Sequence, residues 1–514
     1  MSRAWSAHQP IEEPFAHGVA SGDPLADGVL LWTRVTPASE AHELSWAVAR
    51  DPDLDHVVRE GRAPADPDHD GTVTIEVSGL EPATTYYYAF ELEGRRSAVG
   101  RTRTLPRGGC ERLRLAVTSC AKFTAGHFTA YGRIADRPEL DFWLHLGDYI
   151  YEYPTDDGKA VGPGFGRTMS PPHECRTLAD YRTRYAHYRT DPDLLRLHLT
   201  HPIIATLDDH EFCNDTWREG AKNHDPAEDG PWAERKAAGL RAWAEWLPVR
   251  VTPRGTDVRI FRRFELGALA DLILLDGRTR RDEMTKDPEV LEHPERTLLG
   301  AEQFEWLATR LRGSEAAWRL IGNGVMLGQV STDFMPEEVG DPLSELGILT
   351  AREHGPNPDQ WDGYPAERGR LFDVLEDHGV QDVVFLSGDV HSSWAVELRR
   401  DPGADGAPLA VEFVTTSVTS ENLDEEMKLR HQEREFDIEA DVLDNNPHIR
   451  FVELDNHGYM LLEVTPELVC CEWRYVDILE RSGADRLGAR WETRRGDPKL
   501  IEHESRAGRS DSAS

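Results

Sequence analysis

Long apolar runs are absent from this sequence. No segment approaches the roughly 20 consecutive apolar residues that a membrane-spanning helix needs, and residues 1–14 lack the apolar core of an export signal. These absences predict a soluble chain without a transmembrane segment. Either the protein is cytoplasmic, or an export signal has been removed from it.

Positive charge is also scarce. The chain has 58 Lys and Arg residues against 93 Asp and Glu residues, which gives a formal net charge of −35. Such a charge repels nucleic acids and anionic membrane surfaces at long range. We therefore expect no nucleic-acid partner, and a phosphate-bearing substrate would need cations placed locally.

Cysteine is rare, with six residues in 514 and no CxxC motif, which excludes a disulfide-stapled scaffold. We expect most of these thiols to be packed in the interior. Cys120 is the exception, because it follows a predicted strand beside other candidate ligands. A cysteine-based phosphatase would need an arginine six residues later, where Gly126 stands. Cys120 is therefore a candidate thiolate ligand and not a nucleophile.

The chain is longer than one hydrophobic core usually serves, which predicts two or three domains. After an N-terminal extension (1–14), residues 15–104 contain short alternating apolar runs with turn residues between them. This pattern predicts an antiparallel β-sandwich. The segment around Tyr86 resembles the tyrosine corner of immunoglobulin-like and fibronectin type III domains; an ordinary tyrosine-rich strand is the alternative.

Residues 105–480 alternate apolar strands with amphipathic stretches, which predicts an α/β or layered α+β domain. The predicted strands are 113–117, 142–146, 202–207, 272–275, 318–322 and 383–386, and the predicted helices are 179–197, 232–246, 301–311 and 366–377. Ligands in such sheets gather beyond the carboxyl ends of the strands. The acidic segment 421–444 predicts a solvated surface helix, with a lid as the alternative. Residues 481–514 form a C-terminal extension whose end is expected to be disordered.

Metal-type ligands follow several of these strands. Asp148 follows the second strand, and a carboxylate at a strand end can bridge two metal ions. Tyr151 lies three residues later and can reach one of the ions if the backbone turns; packing is its alternative role. A phenolate and a thiolate together favour a trivalent iron over magnesium.

A third cluster, at 208–211, places three carboxyl groups and the His210 imidazole in succession after a strand. Without a cation these groups would repel and desolvate one another. A metal site is therefore predicted here, and an exposed acidic turn is the alternative.

Asp389 and His391 alternate around Val390 after the strand 383–386. On an extended segment both side chains would point to the same face. Two metal ions about 3.5 to 4 Å apart could then each bind one of them, with Asp148 between the ions.

Together these motifs resemble the PhoD-type alkaline phosphatases over residues 15 to 480. The matching segments are Ser119-Cys120, Gly147 to Glu152, Asp208 to Glu211, Leu275 to Arg278, Trp361 to Pro365 and Ser387 to His391, with Gly18 to Pro24 and Leu31 to Arg34 in the lead domain. The resemblance implies an immunoglobulin-like lead domain and a metallophosphoesterase core like that of purple acid phosphatases. The family also includes iron-dependent secreted phospholipases D of actinomycetes.

Carried onto this chain, the resemblance implies iron(III), Fe3+, held by Cys120, Asp148, Tyr151 and His391. It implies one or two calcium ions, Ca2+, held by Asp209, Asn214 and Asp389, with Asp148 bridging. The donor types agree, since carboxylate and amide oxygens suit calcium while thiolate, phenolate and imidazole suit a transition metal. Family habit also implies export by the twin-arginine route. We expect a monomer.

The predicted function is hydrolysis of phosphate monoesters and diesters by a metal-activated water, with Asp148 and Asp389 in the catalytic centre. His210 is a candidate acid for the leaving group, or a group that orients Asp209. Arg278 and Asn323 are assigned to phosphate contact.

Two other functions stay open. A phospholipase D would need an apolar approach, which Trp217, Trp361 and Trp394 could supply unless they are core residues. A non-enzymatic, calcium-stabilised binding protein would explain the oxygen ligands but not Cys120.

Overall fold

The computed structural model describes residues 5–156, 166–331, 357–403, 406–428, 437–481 and 483–503. Its strands are β1 (Val19–Leu25), β2 (Gly28–Arg34), β3 (His42–Ala49), β4 (Val57–Ala65), β5 (Thr72–Ser78), β6 (Thr85–Leu92), β7 (Arg95–Arg96), β8 (Gly100–Arg103), β9 (Leu113–Thr118), β10 (Phe142–His145), β11 (Ile203–Ala205), β12 (Arg262–Leu266), β13 (Ala270–Leu274), β14 (Trp318–Gly322), β15 (Val383–Ser387), β16 (Ser393–Leu398), β17 (Ala410–Val414), β18 (Ile449–Glu453), β19 (Gly458–Val464), β20 (Leu468–Tyr475), β21 (Arg486–Arg494) and β22 (Asp497–Glu502).

The helices are α1 (Thr129–Ala135), α2 (Leu178–Tyr188), α3 (Pro192–Thr200), α4 (Pro226–Asp229), α5 (Trp232–Trp246), α6 (Pro288–Leu291), α7 (Gly300–Gly313), α8 (Pro365–Asp377), α9 (Leu423–Met427) and α10 (Ile438–Asn445), with short 3-10 helices at Pro67–His69 and Trp361–Gly363.

Two large mixed sheets form the centre of the protein. One has ten strands in the order β22-β21-β20-β19-β9-β10-β11-β1-β2-β5, and the other has seven in the order β12-β13-β14-β15-β17-β16-β18. Strands β9, β10 and β11 run parallel in the first sheet, and β13, β14 and β15 run parallel in the second. Their carboxyl ends therefore collect loops at a common edge of each sheet.

The two sheets pack face to face, with helices on both outer faces. Alternate residues of one strand face opposite cores, as the period of a strand requires. Leu272 and Leu274 lie in the core between the sheets, whereas Ile273 faces a core shared with α7 and α8. A strand that is buried on both faces has a continuous run of apolar residues. These strands could therefore be predicted from the sequence. The predicted layered α/β core is confirmed.

The predicted strands all exist, with ends shifted by up to two residues. The predicted helix 179–197 is wrong as one element, because the chain forms α2 and α3 there. Asp191 accepts hydrogen bonds from the backbone N–H groups of Asp193 and Leu194, and Pro192 occupies the first helical turn. An N-cap followed by proline begins a new helix and ends the preceding one.

The N-terminal strands build two antiparallel layers around a core of their own. Strands β1, β2 and β5 face the sheet β4-β3-β6-β7, to which β8 also pairs through β6. The Tyr86 hydroxyl accepts a hydrogen bond of 2.9 Å from the backbone N–H of Glu81, as a tyrosine corner would. Strand β1 also pairs with β11 at Gly22 and Ile203, so the sandwich is joined to the ten-stranded sheet.

The ten-stranded sheet continues past residue 480, the predicted end of the catalytic domain. Strands β21 and β22 pair with β20 and with each other, and bury Trp491 and Leu500. Within 421–444, the described residues form the short helices α9 and α10 and not one surface helix. The end expected to be disordered, 508–514, lies outside the described residues. The helices that the structure describes include none long and apolar enough to cross a membrane.

Candidate metal centre

Residues from both sheets meet beyond the carboxyl ends of their parallel strands. Ligand atoms of Cys120 (after β9), Asp148 (after β10) and His391 (after β15) lie within 4.8 Å of one another. The Tyr151 hydroxyl donates a 2.9 Å hydrogen bond to Asp148 Oδ2 and lies 3.3 Å from His391 Nε2. The four residues assigned to iron from the sequence are thus brought together.

The His391 ring is oriented by a backbone carbonyl. Its Nδ1 lies 2.8 Å from the carbonyl oxygen of Glu421, which can only accept a hydrogen bond. Nδ1 therefore carries the hydrogen, and the lone pair of Nε2 points towards Tyr151. Metal-binding histidines commonly have this arrangement.

A second group of carboxylates adjoins the first. Ligand atoms of Asp148, Asp208, Asp209 and Asp389 lie within 4.8 Å of one another, and Asp148 also groups with Asp209 and His210. Asp148 is thus common to the nitrogen- and sulfur-containing group and to the oxygen-only group. This position is the one that a bridging ligand of two cations occupies.

The backbone at four of these candidate ligands is left-handed and not extended. The φ angles are 59° at Cys120, 57° at Asp148, 69° at Asp389 and 45° at His391. The prediction that Asp389 and His391 share a face of an extended segment is therefore wrong in its geometry, although both side chains reach the site. Non-glycine residues with positive φ each carry about 1–3 kcal/mol of strain and concentrate at functional sites.

Without a bound cation, the surroundings of the site favour the protonated forms of its acidic groups. Burial raises the pKa of Asp148 and of Asp389 well above the ordinary range, despite His210 near the first and Arg278 near the second. Burial and the nearby carboxylates of Asp148 and Asp389 also raise the pKa of the Cys120 thiol. A bound cation would favour the charged forms of all three groups.

His210 is held by Glu152. Its Nδ1 lies 2.7 Å from Glu152 Oε2, and its ring stacks on the Tyr151 ring with centroids 4.0 Å apart. Burial lowers the pKa of the imidazole, but Asp209, Glu152 and Asp148 outweigh this effect and raise it well above its ordinary value.

Arg278 lies fully buried among carboxylates. Its guanidinium donates hydrogen bonds to both carboxylate oxygens of Asp208. It also donates hydrogen bonds to the two oxygens of Asp359, at 2.8 and 3.1 Å, and to Asp389 Oδ1 at 2.8 Å. Arg281 donates to Asp359 at 2.7 Å as well. The predicted phosphate-contacting arginine is therefore in the site, with its N–H groups directed at protein carboxylates.

Asn214, the predicted calcium ligand, and Asn323, the predicted phosphate contact, lie on different loops. The Asn214 side-chain oxygen accepts a 2.8 Å hydrogen bond from the Tyr153 hydroxyl, and Tyr153 packs against the His210 ring at 5.0 Å. Asn323 is buried beyond β14 and donates to the Val325 carbonyl oxygen. It follows the strand end, as the sequence predicted.

The residues present fit a cation. Among the described residues, Asp209 Oδ1 and Asn323 Oδ1 are buried acceptors without a hydrogen-bond donor. A buried carboxylate oxygen is costly unless a donor or a cation satisfies it. The thiol, phenol and imidazole of Cys120, Tyr151 and His391 suit a transition metal, whereas the carboxylates suit a hard cation.

Several residues that shape the site were not assigned to it from the sequence. The Glu211 carboxylate accepts hydrogen bonds from the backbone N–H groups of Asp148, Tyr149 and Asp208. It therefore joins the loop after β10 to the loop after β11. Two of these residues could have been found from the sequence, because Asp208 belongs to the acidic cluster 208–211 and Glu152 directly follows Tyr151. Asp359, however, lies far along the chain from the strand ends, so only the fold reveals its contacts with Arg278.

The tryptophans considered for an apolar substrate approach are mostly core residues. Trp361 and Trp394 are fully buried, and Trp217 is half-buried. The described residues thus give the phospholipase D alternative no specific support.

Comparisons with known proteins agree with this geometry. Residues 115–473 match the model of the PhoD-like phosphatase family, and residues 2–106 match that of its N-terminal domain. Alkaline phosphatase D of Bacillus subtilis is 35% identical over 490 residues, which cover 92% of this chain and 79% of that protein. A solved structure of PhoD superposes with a TM-score of 0.85 and 32% identity, covering 98% of this chain and 94% of that chain.

A purple acid phosphatase from yellow lupin shares the fold at 13% identity, with a TM-score of 0.56 over 92% of this chain and 73% of that chain. The family resemblance drawn from the sequence is confirmed, and with it the expectation of a phosphate-ester hydrolase that depends on metal ions. The chain belongs to the PhoD-like phosphatase family.

Proposed function

We propose that the metal centre hydrolyses phosphate monoesters and diesters. Cys120, Asp148, Tyr151 and His391 would hold iron(III), and Asp209, Asn214 and Asp389 would hold one or two calcium ions, with Asp148 shared. Metal ions bound there would supply Lewis acidity to the phosphate oxygens and to the attacking water.

The observation that carries this proposal is the position of Asp148. It lies within 4.8 Å of a thiol–imidazole pair on one side and of three carboxylates on the other. These two donor sets differ in chemical softness, so they favour two different cations. A shared carboxylate holds such cations close enough for one phosphate group to contact both.

The remaining residues orient the substrate and move a proton. His210, fixed through Nδ1 by Glu152, is proposed to donate a proton to the leaving oxygen. Asn323 is proposed to face the phosphate. Arg278, whose N–H groups bind protein carboxylates, is proposed to act on the phosphate mainly by offsetting the carboxylate charge that would otherwise repel a dianion. A water attacks phosphorus, and no protein side chain becomes phosphorylated.

Exchange of Asp148 for Asn tests the shared ligand. We expect this variant to lose both iron and calcium, measured by elemental analysis, and to lose hydrolysis of p-nitrophenyl phosphate. Asp377→Asn, at an exposed position at the end of α8, is the matched control and should retain both. Full activity in Asp148→Asn would exclude the bridging role.

Substrate preference is tested on protein reconstituted with iron and calcium. We expect kcat/KM for p-nitrophenyl phosphate and bis-p-nitrophenyl phosphate to exceed that for phosphatidylcholine, because Trp361 and Trp394 are buried and offer no apolar approach. A higher kcat/KM for phosphatidylcholine would instead assign a phospholipase D.

We also propose that residues 15–104 form an immunoglobulin-like domain, supported by the Tyr86 hydrogen bond, and that residues 105–480 hold the catalytic machinery. The protein is proposed to be exported, as the resemblance implies, and to act as a monomer. Sedimentation velocity and fractionation of cells that express the natural gene test these two points.

A further inference from the structure

A cleft of about 680 Å³ lies apart from the metal centre. It is formed by the turn between β1 and β2, by residues 105–108 after the sandwich, by the region 259–267 around β12, and by α7. None of the residues assigned to the metal centre lines it. The cleft is therefore a second concave surface, at the junction of the sandwich and the core.

The lining of the cleft is basic, although the chain is strongly acidic. It contains the five arginines Arg107, Arg259, Arg262, Arg263 and Arg310, against the two carboxylates Asp27 and Glu265. Asp23 and Asp271 pair with two of these arginines, so the arginines outnumber the nearby carboxylates by one, in a protein whose net charge is −35. A local excess of cations attracts anions.

Three of these arginines are fixed by ion pairs. Arg107 pairs with Asp27 at 2.9 Å, Arg262 with Asp23 at 2.8 Å, and Arg263 with Asp271 at 2.7 Å. The charge of all three is largely offset by these partners, and Arg262 and Arg263, whose carboxylates are buried, are the more firmly held.

The other two arginines are exposed and available. Among the described residues, no carboxylate or other acceptor binds the guanidinium of Arg259 or of Arg310. Arg259 lies over the Phe261 ring at 4.6 Å and over the Trp306 ring at 5.8 Å. Two planar guanidinium groups can bind a phosphate dianion through paired N–H groups.

An aromatic wall adjoins these two cations. The Phe261 and Trp306 rings lie 4.9 Å apart at 55°, and Trp306 is half-buried so that part of its indole faces the cleft. An aromatic ring of a ligand can pack there, in the offset or edge-on arrangements that aromatic pairs prefer.

We propose that this cleft binds an organic phosphate that carries an aromatic ring, with the phosphate on Arg259 and Arg310 and the ring against Trp306. This site is separate from the metal centre and does not depend on the assignment of its metals. Inorganic phosphate shares the anionic part of this chemistry, but it lacks the ring.

Phenylphosphonate tests the proposal, because its P–C bond resists phosphatase hydrolysis. We would titrate it by calorimetry into the metal-loaded wild-type protein, the double variant Arg259→Ala/Arg310→Ala, and Arg95→Ala as a control at an exposed arginine of the sandwich. The expected result is binding to the metal centre and the cleft in the wild type and in the control. In the double variant, affinity at the cleft should fall about tenfold or more.

Two further measurements identify the ligand and check folding. Trp306→Ala should weaken phenylphosphonate at the cleft but leave methylphosphonate unchanged. The double variant should keep the wild-type melting temperature and the wild-type rate of p-nitrophenyl phosphate hydrolysis. Unchanged binding in the double variant would overturn the site. Equal affinity of the cleft for inorganic phosphate and phenylphosphonate would overturn the aromatic part of the assignment.

Discussion

The carboxylate of Glu152 holds the ring of His210 and the backbone of Asn214 at the same time. One oxygen lies 2.7 Å from His210 Nδ1, and the other accepts the Asn214 N–H at 2.8 Å. The ring is also stacked on Tyr151, so its plane and its Nδ1 hydrogen are fixed. Glu152 is thus a positioning residue that links the proposed proton donor to a proposed calcium ligand.

Glu152→Gln should reduce catalysis more than substrate binding. We expect kcat to fall about 10- to 100-fold, the usual effect of removing a partner of a metal-site residue, with KM changed less than kcat. Steady-state kinetics with p-nitrophenyl phosphate measure this. Glu315→Gln, at an exposed position, is the control. An equal loss of kcat and of bound metal would instead show that Glu152 acts through metal retention.

Tyr151→Phe tests whether the phenol is a ligand or a packing group. Its hydroxyl lies between Asp148 and His391, so its removal leaves the ring stack on His210 intact. We expect a lower iron content and a change in the visible absorption of the iron-loaded protein, because phenolate donation to iron is lost. Tyr87→Phe, on β6, should change neither. An unaltered spectrum and iron content would assign Tyr151 to packing.

The sequence predicted the candidate ligands because each one follows an apolar strand. Cys120, Asp148 and His391 are far apart in the chain, but parallel strands bring their carboxyl ends together, and the side-chain types then indicate the chemistry. This reasoning needs only the order of strands and ligands. It does not need the dihedral angles, and it predicted those incorrectly at Asp389 and His391.

The contacts of Arg278 and the break between α2 and α3 were harder to predict. Asp359 meets Arg278 across 81 positions of the chain, and no strand end or periodic pattern marks it. The helix break follows from Asp191 and Pro192, a local signal that the apolar periodicity on both sides concealed. Long-range ion pairs such as Arg278–Asp359 depend on the assembled fold. The N-cap at Asp191, in contrast, could have been predicted from the sequence.

Removal of Arg278 should destabilise the metal-free protein strongly. Arg278→Met removes a buried cation from beside Asp208 and from beside Asp359, whose pKa Arg278 and Arg281 hold well below its ordinary value. Loss of one partner of a buried ion pair costs about 3–5 kcal/mol. We expect added calcium to restore part of the melting temperature, since a ligand that binds only the folded state stabilises it. Thermal unfolding with chelator and with calcium measures both effects.

Arg112→Met, at an exposed position, is the control for this experiment and should leave the melting temperature unchanged in both conditions. If calcium fails to recover any stability in Arg278→Met, the carboxylates do not form a cation site. Equal stability of the variant and the wild type in chelator would show that Arg278 does not offset the buried charge.

A final prediction concerns pH and lies away from the metal centre, at Glu453. Burial raises the pKa of Glu453 to about 7, although hydrogen bonds from Asn456 oppose this shift. The folded state therefore holds the proton more tightly than the unfolded state, and Glu453 lowers stability progressively as the pH rises from about 4.5 to 7. Glu453→Gln has no charge to bury.

The melting temperature of Glu453→Gln relative to the wild type should rise between pH 5 and pH 8. Glu502→Gln, an exposed control, should show no such trend. A constant difference across this range would mean that Glu453 stays charged in the folded protein.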